Sequence, residues 1–200
     1  DEASLLAVSD YLKDHLYGTG ERPSVVASVG HTHIDVAWKW PLRQTREKVV
    51  RSFSTVMELM KRYEDYLFMA STPQLYEFVR QEEPELFKEV SERIREGRFE
   101  IEGAMWLEPD CNLTSGESLV RQILYGKEYM RETFGVESGI LWLPDVFGYN
   151  ASMPQIMKKS GIRAFVTTKL AWNDTNRMPY DFFWWKGIDG SRIPVYIITT

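Results

Sequence analysis

Apolar residues along this chain fall into two patterns that alternate from start to finish. Short, nearly continuous apolar runs occupy residues 24–30 (SVVASVG), 65–72 (DYLFMAST), 98–106 (RFEIEGAMW), 139–144 (GILWLP), 163–169 (RAFVTTK) and 194–200 (PVYIITT). Runs of this length without polar alternation are expected of strands covered on both faces. Between them, apolar residues recur at helical spacing over 41–63, over 73–96 with an interruption at Pro84, over 115–134 and over 152–160. Val49, Phe53, Val56 and Met60 mark the inward stripe of the first helix. Thr72-Pro73 and Ser152-Met153-Pro154 place a hydroxyl just before a proline in the first turn, and Gly135 and Gly161 sit where helices should stop.

Strand, helix, strand, repeated, predicts βαβ units and an α/β fold with a largely parallel sheet and helices on both faces. Residues 4–17 read as a leading amphipathic helix followed by a Gly/Pro-bearing linker, so the chain divides into 1–22 and an α/β part over 23–200. It starts without methionine and stops inside an apolar strand. The expectation is a piece of a longer polypeptide, with the fold incomplete in this chain.

Composition narrows the function classes. With 44% hydrophobic and 26% charged residues among 200, the chain is an ordinary globular sequence. A formal net charge of -5 provides no basic stripe for phosphates, which argues against a nucleic-acid partner. Cys111 is the only cysteine, so no internal disulfide forms and a cytoplasmic setting is expected. No apolar run approaches the roughly 20 residues of a membrane helix. Seven tryptophans are many for this length; aromatic faces fill cores, and they also bind sugars.

In parallel α/β sheets, ligands bind at the carboxyl ends of the strands. Those ends carry His31, His33 and Asp35 after the first run, residues 106–110 after the third, Asp145 after the fourth and Lys169 after the fifth. In an extended segment His31, His33 and Asp35 share one side, and two of them can grip a divalent cation. Zn²⁺ suits the nitrogen and oxygen donors, Co²⁺ and Mn²⁺ are alternatives, and a hydrogen-bonded histidine pair without metal is the competing reading. Asp145 is either a turn cap or a group aimed at the site; Asn150 and Ser152 already supply caps for the following helix. Trp38, Trp106, Phe147 and Tyr149 flank these loops as core residues or as faces for sugar stacking. Asp110 reads as a turn residue or a group near the metal. Glu96, Glu100 and Glu102 read as solvated.

The segments HTHIDVAWKWPLRQTREK and WLPDVFGYNASMPQIMKKSG, in this order and about 110 residues apart, resemble the N-terminal catalytic domain of the retaining α-mannosidases of glycoside hydrolase family 38, in its cytosolic and bacterial branch. The resemblance implies an irregular β/α barrel and hydrolysis of terminal α-mannosides, with a mannoside or oligomannose substrate; the lack of a long apolar run already argues against a membrane partner. It leaves homo-oligomers open. Residue by residue it implies that His33 and Asp35 are zinc ligands, that Trp38 packs beneath the mannose, and that Asp145 is both nucleophile and zinc ligand. Phe147 corresponds to a substrate-pocket aromatic, Lys169 to a basic residue near the subsite, and His31 to a non-ligand position. No histidine follows Asp145 to match the family's further ligand, and Asp174, Asp181 and Asp189 follow too closely to match its general-acid aspartate. The fragment alone is therefore expected to bind metal weakly and to turn over nothing. Two rivals remain at this point: a metal-dependent carbohydrate deacetylase, in which the metal activates water, and a non-catalytic carbohydrate-binding fragment.

Overall fold

The computed structural model describes Ala7, Asp10, Tyr11 and residues 26–198. Apart from those three residues, the expected leading helix and linker of 1–22 lie outside the described residues. Five helices follow: α1 (Leu42–Arg62), α2 (Pro73–Glu82), α3 (Pro84–Arg95), α4 (Gly116–Phe134) and α5 (Met153–Lys159). Seven strands are interleaved with them: β1 (Gly30–His31), β2 (Phe68–Ala70), β3 (Phe99–Ile101), β4 (Ile140–Trp142), β5 (Ala164–Thr167), β6 (Phe182–Lys186) and β7 (Arg192–Ile197).

Pairing gives a sheet of order β1-β2-β3 and a second of order β4-β5-β7-β6, parallel throughout except for β6 against β7. A parallel bridge between Gly103 and Leu141 continues the first sheet into the second. Glu102 reinforces this seam, accepting from Ser138 Oγ at 2.6 Å and from the Ile140 amide at 3.2 Å. Its expected solvated role gives way to a structural one at this seam. A second bridge joins Cys111 to Tyr149, where Asn150 Nδ2 also donates to the Cys111 carbonyl.

Two apolar clusters fill the two sides. One joins α1, α2 and α3 to β2 and β3 through Val49, Phe53, Tyr76, Val90, Phe68 and Phe99, and the other joins α5 to β4, β5 and β7 through Met153, Leu141, Phe165 and Val195. Helix α4 serves both, with Met130 in the first and Leu119 and Ile123 in the second. Its ends are well made: Ser115 Oγ accepts from the Ser118 amide, and Gly135 closes it at φ 71°. Pro84 stops α2 and starts α3, as its missing amide and fixed φ require.

Several expectations are corrected. Residues 26–29 are not strand, and Val26 and Val29 are exposed; of this run only Gly30 pairs with β2, continued by His31 against Met69. Neither Thr72 nor Ser152 caps its helix with a side chain; Thr72 adopts φ 69° and its hydroxyl meets Ser71 Oγ instead. Asn150 Oδ1 accepts from the Ser152 amide and shapes that entry. Strand β6 escapes a periodicity reading because FFWWK is aromatic on both faces, although every second residue is exposed.

Candidate metal centre

The carboxyl ends of the parallel strands converge, and the chain fixes each loop there with identifiable bonds. After β1 the segment carrying His33, Asp35 and Trp38 is pinned by Thr45, a fully buried residue of α1. The Thr45 hydroxyl donates to the Val36 carbonyl at 2.8 Å and accepts from Trp40 Nε1 at 3.0 Å. After β4 the loop carrying Asp145 is tied to the end of β5. Thr168 Oγ1 donates to the Pro144 carbonyl, and the Tyr149 hydroxyl reaches the Leu143 carbonyl at 2.9 Å and Thr167 Oγ1 at 2.6 Å. Tyr149 is thus an anchor for the loop, not an open stacking face. Burial pushes its phenol well above the ordinary value, so it stays protonated.

At the centre stands His33. Its Nε2 lies 3.4 Å from both Asp35 Oδ1 and Asp145 Oδ2, and Nδ1 lies 3.3 Å from Glu108 Oε1. One ligand atom from each of His33, Asp35 and Asp145 falls within 4.8 Å of the others, with His33 28% and the two carboxylates 31% exposed at the side chain. Lys169 Nζ contacts the other oxygen of Asp145 at 2.6 Å. The ammonium also sits 3.4 Å from the centroid of Trp172 and 5.0 Å from that of Phe147, two exposed rings in edge contact. Thr72, Leu107 and Val146 complete the walls of the cleft.

The electrostatics fit a divalent cation. Three carboxylates, Asp35, Glu108 and Asp145, face one lysine, which leaves two negative charges uncompensated while His33 is neutral. Glu108 Oε2 is in addition a buried acceptor with no hydrogen-bond partner among the described residues. A proton on His33 answers only part of this: Glu108 first, then Asp35 and Asp145, push the imidazole up to about 9. One nitrogen and two carboxylate oxygens, with positions left open, form a donor set suited to Zn²⁺ or Co²⁺.

The other sequence-derived residues divide. His31 stays out of the cluster: Nδ1–H donates to the Met69 carbonyl at 2.9 Å, the ring meets Trp142 edge-on, and burial lowers its pKa. Trp38 is 59% exposed and follows the cleft residue Ala37 in the chain, with Lys39 Nζ 5.7 Å from its ring centroid. Trp106 is not brought to it; the indole donates to Gln74 Oε1 at 3.1 Å, packs on Tyr129, and lines a separate groove with Tyr125 and Glu132. Asp110 is a turn residue, accepting from the amides of Asn112 and Leu113 at 2.8 Å each. Burial pushes the Cys111 thiol up to about 12, which excludes a thiolate nucleophile. Glu108 and Trp172 were not singled out by sequence. The available signal for Glu108 was its place within 106–110 after the third strand, and for Trp172 its position three residues past Lys169.

Residues 23–200 match the family model of the glycosyl hydrolases family 38 N-terminal domain. An alpha-mannosidase of Saccharomyces cerevisiae is 44% identical over 169 residues, covering 84% of this chain and 16% of the relative. Alpha-mannosidase 2C1 of Homo sapiens is 41% identical over 191 residues, covering 94% of this chain and 18% of the relative. The chain therefore spans less than a fifth of the length of these relatives. Among solved structures, an alpha-mannosidase from Enterococcus faecalis V583 superposes with a TM-score of 0.75 at 22% identity, covering 85% of this chain and 19% of that one.

Proposed function

Because this chain belongs to glycosyl hydrolases family 38, with residues 23–200 corresponding to its N-terminal domain, we propose that it carries the nucleophile and part of the metal site of a retaining α-mannosidase. The observation that supports this reading best is the two-sided hold on the Asp145 carboxylate, with Lys169 at Oδ1 and the His33–Asp35 pair beside Oδ2. A nucleophile needs one rotamer, aimed at the anomeric carbon, and Lys169 together with the anchored loop provides it.

His33, Asp35 and Asp145 would hold the ion. When bound, a divalent cation supplies charge stabilisation and a template for neighbouring sugar hydroxyls. Asp145 attacks the anomeric carbon as the glycosidic C–O bond breaks, the leaving oxygen takes a proton from an acid, and water later cleaves the glycosyl ester on Asp145. A retaining pair stands roughly 5 to 5.5 Å apart. Asp35 and Glu108 both face His33, so neither is assigned as the acid. Phe147, Trp172 and Trp38, all more than half exposed around the cleft, offer apolar faces to a sugar ring. The natural substrate is a terminal α-mannoside, and the setting is cytoplasmic.

Trapping decides between this reading and a deacetylase. A fluorinated mannosyl donor incubated with the protein at its natural length should leave a sugar ester on the peptide containing Asp145, and D145A should leave none. No adduct, or one on a different carboxylate, would remove Asp145 from the role.

A further inference from the structure

We infer that Glu108 is the residue that aims His33 at the cation site, a positioning residue acting through the far nitrogen of the imidazole. The inference rests on His33, Asp35 and Asp145 being the ligands. An imidazole presents only one nitrogen to a metal, and what binds the other decides which one, and in which tautomer. Here Nε2 faces Asp35 and Asp145, while Nδ1 faces Glu108 Oε1 at 3.3 Å. Once a cation on the aspartate side requires a neutral ring, Glu108, which only accepts, keeps the hydrogen on Nδ1 and leaves the Nε2 lone pair toward the cation and the two aspartates.

Glu108 can do this because its own loop is held from three sides. The amides of Trp106 and Leu107 donate to the backbone and side-chain oxygens of Gln122 on α4, at 2.8 and 3.0 Å. Gln74 of α2 donates its amide to the Trp106 carbonyl at 3.2 Å, and Asp110 closes the turn that follows. This close docking on α4 depends on Gly126, where a methyl group would lie 2.1 Å from the Ala104 carbonyl oxygen. The Glu108 side chain is only 14% exposed, and its second oxygen is buried without a hydrogen-bond partner among the described residues. A residue serving packing alone would not leave a carboxylate oxygen so placed.

The test is Co²⁺ binding to the protein at its natural length, followed by titration and by the visible absorption of the bound ion. E108A should bind Co²⁺ 10- to 100-fold more weakly with an altered spectrum, while E108Q, whose amide oxygen still accepts from Nδ1, should return to within about threefold of the parent. Unchanged affinity and spectrum in E108A overturn the inference, as does a folded E108Q that binds no better than E108A. If E108A fails to fold, E108Q is compared with E108M, which keeps the length but not the acceptor; equal binding by those two overturns it. H33A separates the levels: Co²⁺ binding that survives in H33A removes the ligand assignment too, whereas loss in H33A with no loss in E108A defeats only the role of Glu108.

Discussion

Cation binding should expel a proton at neutral pH and cease to do so in alkaline solution. Without metal, Glu108, Asp35 and Asp145 hold the His33 imidazole protonated up to about 9. A ligand nitrogen must be neutral, so each cation bound at pH 7 displaces one proton from His33. Two pH units below that midpoint, the displacement weakens apparent affinity roughly 100-fold relative to the alkaline limit. Affinity should rise tenfold per pH unit up to about 9 and then level off. Folding stability of the metal-free protein should move the opposite way. A raised pKa contributes stability that is fully present below the ordinary value of 6.5 and is lost as pH rises through about 9. Calorimetric titration in buffers of different ionisation heat counts the protons directly: one released near pH 7, half of one near pH 9, none near pH 10.5. Zero release at pH 7, or release that persists undiminished at pH 10.5, would refute the triple-carboxylate reading of His33.

Gly126→Ala should lower the melting temperature markedly, since the added methyl meets backbone atoms of 104–106 and overpacking costs about 1–3 kcal/mol or more; Gly116→Ala, with open space around it, serves as the neutral control in thermal unfolding. Trp38→Ala should raise KM for an aryl α-mannoside by about tenfold with an unchanged melting temperature, as expected for an exposed ring lost from a sugar face. Trp106→Ala should do the reverse, costing stability through Tyr129 and Gln74 while sparing KM; a KM effect equal to that of Trp38→Ala would place Trp106 in the site after all.

Much of this was legible in the residues, and the remainder depended on contacts that spacing does not encode. The helices over 42–62, 73–95 and 116–134 follow from apolar stripes and proline positions, and the strand ends carrying His33, Asp35, Asp145 and Lys169 follow from where the apolar runs stop. Alternation put His31 and His33 on one side, yet the chain leaves β1 between them, so His31 turns to the Met69 carbonyl and only His33 reaches the aspartates. Trp106 and Glu108 sit two residues apart at one strand end. Gln122 and Gln74 fix their loop so that the indole faces outward and the carboxylate inward, a choice made by helices 15 to 32 residues away in sequence. Thr72 looked like a helix cap by composition and became a wall of the cleft once its backbone took φ 69°.

Anomalous diffraction from crystals soaked with Zn²⁺ or Co²⁺ addresses the core of the proposal. A single strong peak should appear roughly 2.0 to 2.2 Å from the His33 Nε2, Asp35 and Asp145 ligand atoms, and it should vanish in D145A. A peak elsewhere on the molecule, or one that keeps its place and height in D145A, would contradict a shared metal site built around the nucleophile.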